Sequence, residues 1–184
     1  MPMTDETNGA ATVNGYAMDE VVSALQKEIR RGNEENAVFW ACELLDSSVE
    51  WRLWRRLKVI AAEDVGCGDP GAVANVSAME TSFYKLGPKG EDARLFPILA
   101  TIYLARCRKD RTADDMACYL GERRKEGMKL EIPGYAVDCH TERGRAAGQG
   151  EREFWLEGSR LENESPGYAK KYRDYFGKKY GLVP

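Results

Sequence analysis

From about Asp19 onward, apolar residues recur at helical spacing along most of the chain. Val21, Val22, Leu25 and Ile29 begin the pattern, with Asp19 placed to cap a first helix and Gly32 to stop it. Asn33 then caps a second helix whose first turn holds Glu34 and Glu35, where carboxylates suit the helix dipole. Its apolar face is Ala37, Val38, Trp40, Ala41, Leu44 and Leu45, and Asp46-Ser47-Ser48 breaks it. A third helix is expected from about Val49 to Asp64, with Trp51, Trp54, Leu57, Ile60 and Ala61 along one face and Arg52, Arg55, Arg56 and Lys58 mostly elsewhere. Gly66-Cys67-Gly68-Asp69-Pro70 is a stop and restart, with Asp69 as cap and Pro70 at the first helical position of a fourth helix running to Leu86. Glu91 opens a fifth through Arg108, which Pro97 kinks unless the helix begins there. Thr112 caps a sixth to Lys125.

Beyond Gly127 the periodicity fades into a Gly- and charge-rich stretch. Short helices are expected at 138–146, around Phe154, Trp155 and Leu161, and from Pro166 to Tyr180. The chain therefore reads as all-α, antiparallel helical hairpins with an irregular C-terminal extension. The expected division is a flexible N-terminal arm at 1–17, a helical domain at 18–127, and an extension at 128–184 packed on it.

Composition adds constraints. With 43% hydrophobic and 31% charged residues, the 184-residue chain can bury a core, and a net charge of −3 gives no overall attraction to nucleic acid. The charge is uneven: residues 1–50 hold ten acids against three Lys/Arg, whereas 51–60 hold four Lys/Arg and no acid. That asymmetry fits contacts between copies or with a charged partner, or simply one solvated face per helix. The five cysteines are odd in number, widely spaced and without a CxxC pair, so neither a disulfide framework nor a Cys-rich zinc site is expected, and a reducing, cytoplasmic setting is. No apolar run is long enough for a membrane span, and the start lacks a secretory pattern.

Four groups of residues carry candidate chemistry. His140, the only histidine, is flanked by Asp138, Cys139 and Glu142, which suggests a small acid–base or Cys–His site; a structural histidine is the simpler reading, and no metal is assigned. The Gly/Arg run at 139–152, with His140, Arg143, Arg145 and Arg152, can hold an anion on glycine amides and arginine forks, or be a loop braced by pairs such as Arg with Asp138 or Glu157. Trp40, Trp51 and Trp54 suit subunit-interface anchors or core better than base stacking. The basic, tyrosine-rich end is either a nucleic-acid contact or an amphipathic helix with its tyrosines inward.

The stretch Leu25-Gln26-Lys27-Glu28-Ile29-Arg30-Arg31-Gly32-Asn33, then Ala37-Val38-Phe39-Trp40-Ala41, Arg56-Leu57, Ile60-Ala61-Ala62-Glu63-Asp64-Val65-Gly66 and Asp69-Pro70, resembles the C-terminal assembly domain of the MgsA/RarA-type AAA+ ATPases, relatives of the clamp loaders. The likeness covers roughly residues 20–125, and the IPGYAVDCHTERGR segment resembles a tail on some members. It implies an all-α fold, a homo-tetramer, and a role near stalled replication forks with a AAA+ ATPase or another replication or repair protein as partner. No G-x-x-x-x-G-K-[ST] loop occurs, and no room for an ATPase domain is expected upstream, so ATP hydrolysis is not carried over and no cofactor is expected. Glu63 and Asp64 end a helix, where the dipole disfavours carboxylates, so they should pair with Arg55, Arg56 or Arg94 or lie at the next helix's N-terminus, while Gly66 permits the reversal. The expected function is a non-enzymatic oligomerisation and docking domain. The alternative is a nucleic-acid- or nucleotide-binding module using the 139–152 loop and the basic tail.

Overall fold

A computed structural model describes residues 10–182. Among them are nine α-helices and no strand: α1 Met18–Arg31, α2 Glu34–Asp46, α3 Glu50–Ile60, α4 Ala72–Leu86, α5 Glu91–Arg106, α6 Thr112–Lys125, α7 Glu142–Ala146, α8 Glu151–Glu153 and α9 Lys171–Lys179. The all-α expectation holds. The residues group into two compact units, divided between Glu126 and Gly127.

In the first unit α1 lies against α2, α4 against α5, and α2 against α5, while α3 touches α1, α2, α4 and α5. The central place of α3 follows from its sequence, since Leu53, Trp54, Leu57 and Ile60 bury one face completely. Each such side chain contributes about 2 kcal/mol through the area it removes from water. Trp54 packs its indole against Phe83 of α4, with ring centroids 5.7 Å apart. It is thus a core residue of this chain, and of the three tryptophans on α2 and α3 only Trp40 and Trp51 keep surface to offer a partner.

Trp54 Nε1 has no hydrogen-bond partner among the described residues. A buried orphan donor costs about 1–3 kcal/mol. Trp54→Phe removes that donor as well as some packing, so chemical denaturation should show a change within about 1 kcal/mol. A loss of several kcal/mol would show that the indole N–H is bonded in solution.

The helix ends differ from the sequence expectation in detail. α1 starts at Met18 with Ala17 as cap, and Asp19 lies in the first turn instead. Gly32 closes α1 in the left-handed region at φ 75°. Asn33 precedes α2 but turns its side chain to Glu28, donating to Oε2 at 2.6 Å. α5 runs through Pro97 without restarting there. Lys109 donates to the carbonyls of Leu104, Ala105 and Cys107 at the end of α5, where a cation suits the helix terminus. α6 follows Arg111 rather than a threonine cap, and it has no buried residue.

Residues 1–9 of the expected arm lie outside the described residues. Residues 10–17 are tied down instead. Ala11 bridges Ala17, Asn14 Nδ2 donates to Glu43 Oε2 at 2.6 Å, and Tyr16 meets Trp40 edge-on at 5.3 Å.

The second unit is built from short pieces: a 3₁₀ turn at Gly134–Ala136, α7, α8 running into a wide turn at Phe154–Gly158, and α9. Leu161, expected on a helix, lies in the exposed segment before α9.

Candidate functional site

The helix-turn signature is a satisfied ion network. After Ile60 the helix widens into a π-type turn over Ala61–Val65, and a 3₁₀ turn follows at Gly66–Gly68. The Asp64 side chain is fully buried there. It accepts hydrogen bonds from Gln26 Nε2 at 2.9 Å, Arg30 Nε at 2.7 Å and Arg111 Nη1 at 2.6 Å. Glu63 Oε1 takes the same three residues, at 3.1 Å, 3.0 Å and 2.8 Å. Arg111 is held further by Asp114 in the first turn of α6.

Burial pushes the Asp64 carboxyl up, but Arg30, Gln26 and Arg111 outweigh it and hold the group below the usual carboxylate range. The donors therefore come from α1 and from the residue before α6, not from the arginines expected. Arg56 reaches the network only indirectly, donating to Gln26 Oε1 at 2.9 Å, and Arg94 pairs with Asp46 at 2.8 Å. Asp64 also fixes α6 through its main chain, whose carbonyl accepts the Asp110 N–H at 3.0 Å. Gly66 and Gly68 make that approach possible, because a Cβ on either would sit 2.4 Å from the Asp110 carbonyl oxygen or 2.6 Å from that of Arg108.

A second polar group, not anticipated from sequence, ties the Asp69-Pro70 turn to α5. Tyr103 Oη donates to Asp69 Oδ2 at 2.7 Å and accepts from Asn75 Nδ2 at 2.9 Å. Burial and the Asp69 carboxylate push the Tyr103 phenol up to about 12, so it remains a donor at any ordinary pH. Beside the signature, Arg52, Arg55 and Arg56 line a small groove of about 80 Å³ with Val22 and Val59. The Arg52 guanidinium lies over the half-exposed Trp51 ring, 5.1 Å from its centroid.

In the second unit the Gly/Arg loop is wound around Asp138. Asp138 Oδ1 accepts the His140 N–H at 2.9 Å and lies 3.3 Å from His140 Nδ1, while the Asp138 carbonyl accepts from Thr141 Oγ1 at 3.0 Å. Thr141 caps α7 by accepting the Gly144 N–H at 3.0 Å, and Gly144 presses so closely on the Asp138 backbone that a Cβ would fall 1.9 Å from its carbonyl oxygen. His140 sits edge-on to Phe154 at 4.7 Å.

The side-chain ligand atoms of Asp138, Cys139 and His140 lie within 4.8 Å of one another. Burial, with the Glu151 and Asp138 carboxylates, pushes the Cys139 thiol up, which keeps it protonated at neutral pH. A thiol is the wrong form for a nucleophile. Glu142, the third member of the candidate acid–base group, opens α7.

The glycine amides that an anion would need are used within the loop. Gly144 donates to Thr141 Oγ1, Gly148 to the Arg145 carbonyl at 3.0 Å, and Gly150 to Glu153 Oε2 at 2.9 Å. Arg145 Nη1 donates to the Cys139 carbonyl at 3.2 Å, and Arg152 is 3.8 Å from Glu153, so the expected partners Asp138 and Glu157 are not the ones taken. Arg143, Arg145 and Arg152 are all exposed. A cleft of about 170 Å³ opens next to Asp138, between Tyr135, Glu153 and Leu156.

At the C-terminal end, Phe176 of α9 stacks on Trp155 at 4.3 Å, and Arg173 donates to the Trp155 and Ser159 carbonyls. Tyr172 and Tyr175 face solvent, so the reading in which α9 turns its tyrosines inward does not hold for them.

Residues 32–157 match the family described as MgsA AAA+ ATPase C terminal. That span begins just after α1, and it extends into the second unit to take in the whole Asp138–Arg152 loop. Among curated proteins, the chain is 29% identical over 129 residues to Replication-associated recombination protein A of Coxiella burnetii, covering 69% of this chain and 29% of that one. It is 30% identical over 123 residues to the protein of the same name in Escherichia coli, covering 66% of this chain and 26% of that one. It is 28% identical over 122 residues to ATPase WRNIP1 of Dictyostelium discoideum, covering 64% of this chain and 14% of that one. The chain thus spans less than a third of the length of each of these relatives. With its helical signature turn and this match over most of its length, the chain belongs to the MgsA AAA+ ATPase C-terminal family.

Proposed function

We propose that the chain is a non-enzymatic oligomerisation and partner-docking domain related to the replication-associated AAA+ ATPases. The observation that supports it is the match to the C-terminal part of such ATPases by a chain carrying no G-x-x-x-x-G-K-[ST] loop. The state of the charged residues agrees: the signature carboxylates are occupied by Arg30, Arg111 and Gln26, which leaves them to brace the fold. The partner is a second copy of the chain, in a homo-tetramer, together with a AAA+ ATPase or another replication or repair protein. The five free cysteines fit a reducing compartment, and the cytoplasm is the proposed setting. No helix among the described residues is long and apolar enough to cross a membrane.

Sedimentation velocity on the full chain at micromolar concentration tests this reading, with a tetramer expected. A monomer under those conditions overturns it.

A second reading, nucleic-acid binding through the 139–152 loop and the basic tail, has one observation in its favour: Tyr172 and Tyr175 are exposed on a helix that also carries Lys171, Lys178 and Lys179. Aromatic faces beside cations suit single-stranded nucleic acid. It predicts retention of single-stranded DNA that weakens steeply with added salt. Absence of retention, or retention indifferent to salt, rules it out.

A further inference from the structure

Three atoms that carry lone pairs converge at the start of the Gly/Arg loop, within the second unit. Cys139 Sγ and His140 Nδ1 are 3.5 Å apart, and His140 Nδ1 and Asp138 Oδ1 are 3.3 Å apart. The ligand atoms of all three residues lie within 4.8 Å of one another. A proton on the sulfur or on Nδ1 serves one of the two short contacts well. A cation between the atoms serves both. The spacing is that of a tetrahedral zinc site. Zinc bonds of about 2.0–2.1 Å to nitrogen, 2.0–2.2 Å to oxygen and 2.3 Å to sulfur set neighbouring ligands about 3.4 Å apart for N···O and about 3.6 Å for N···S.

The Asp138 carboxylate is available for such an ion. Its side chain is only 17% exposed, yet no Lys or Arg pairs with it among the described residues. Oδ1 accepts the His140 main-chain N–H, and Oδ2 accepts no hydrogen bond among those residues. Outer contacts hold the three residues in place. Arg145 Nη1 donates to the Cys139 carbonyl at 3.2 Å, Thr141 Oγ1 donates to that of Asp138 at 3.0 Å, and Phe154 lies edge-on to the His140 ring at 4.7 Å.

We propose that Asp138, Cys139 and His140 bind one zinc ion through a carboxylate oxygen, Sγ and Nδ1, with water at the fourth position. The site is independent of the oligomerisation reading. The donor set selects the metal: sulfur disfavours magnesium and calcium, which take oxygen ligands, and carboxylate, imidazole and thiolate together suit zinc. The Cys139 thiol gives its proton to solvent as the sulfur–zinc bond forms, so no oxidant or reductant is involved.

Cobalt(II), a coloured substitute for zinc, tests this on the full chain after metal is stripped with a chelator. One equivalent of cobalt chloride should raise a sulfur-to-cobalt charge-transfer band in the near ultraviolet, and zinc chloride should abolish it. Cys139→Ser keeps Cys42, Cys67, Cys107 and Cys118 but should lose the band, and His140→Ala should lose it too. In wild type, zinc should protect Cys139 from alkylation by iodoacetamide, read by peptide mass spectrometry, while the exposed Cys67 and Cys118 react as before. That measurement needs no variant and decides the question even where a substitution costs the fold. No band in wild type, a band that persists in either variant, or alkylation of Cys139 unchanged by zinc overturns the site.

Discussion

Asp64→Ala is expected to lower the stability of the first unit by about 3 kcal/mol in chemical denaturation. The carboxylate is fully buried, and its loss strips an acceptor from Gln26, Arg30 and Arg111 at once. The arginine side chains are 33% and 30% exposed, so solvent screens part of the Coulomb attraction. The effect lies mainly in donors left unpaired next to a buried site. pH gives an independent check. The folded-state pKa of Asp64 is held below its ordinary value, by Arg30, Gln26 and Arg111 against the opposing effect of burial. Its contribution is therefore present above the unfolded value of about 3.9 and is lost as pH falls through the depressed folded value. The wild type should lose stability in that acid window, and Asp64→Ala should lose less there. A variant within 1 kcal/mol of wild type at neutral pH would show that the network contributes little.

Gly66→Ala is expected to cost about 3 kcal/mol and to loosen α6 more than any other helix. Two effects add. Gly66 sits at φ 49°, ψ −127°, a region that side chains avoid, and its added Cβ would be 2.4 Å from the Asp110 carbonyl oxygen. Relief requires moving the segment before α6, which breaks the bond from the Asp110 N–H to the Asp64 carbonyl. Hydrogen exchange should show early loss of protection in α6 while α1 and α2 keep theirs. Uniform exchange across the unit, or an unchanged stability, would contradict this coupling.

The two substitutions bracket what could be read in advance. The Glu-Asp-Val-Gly turn stands out in the sequence, and the need for Gly66 follows from the reversal between two helical patterns. Its partners do not stand out. Arg30 lies 34 residues before Asp64 and Arg111 47 residues after it, and no local spacing marks them among 27 Lys and Arg. Arg55, Arg56 and Arg94 look equally suitable until the helices cross. Arg30 does carry one retrospective signal, since it lies one turn beyond Gln26 on the same face of α1, and both reach the signature.

Trp54 shows the same limit from the other side. Its spacing with Leu57 and Ile60 marks an apolar face, but whether that face meets a partner or the chain's own α4 is decided only by Phe83 arriving beside it. In the second unit, the glycines around Arg143 and Arg145 suggested free amides for an anion. Thr141, Glu153 and the Arg145 carbonyl take them instead, through bonds spanning only three residues.

What the sequence by itself determined is the helical class, the extent of α1 to α6 within a few residues, and the position of the signature turn. Those depend on 3.6-residue periodicity and on Gly, Pro and Asp punctuation, which act over one or two turns of backbone. What only the tertiary structure decided is which arginines brace Asp64, which tryptophan is core, and that α6 buries no residue. Those outcomes depend on which helices cross and at what distance, and local pattern carries no information about contacts made across tens of residues.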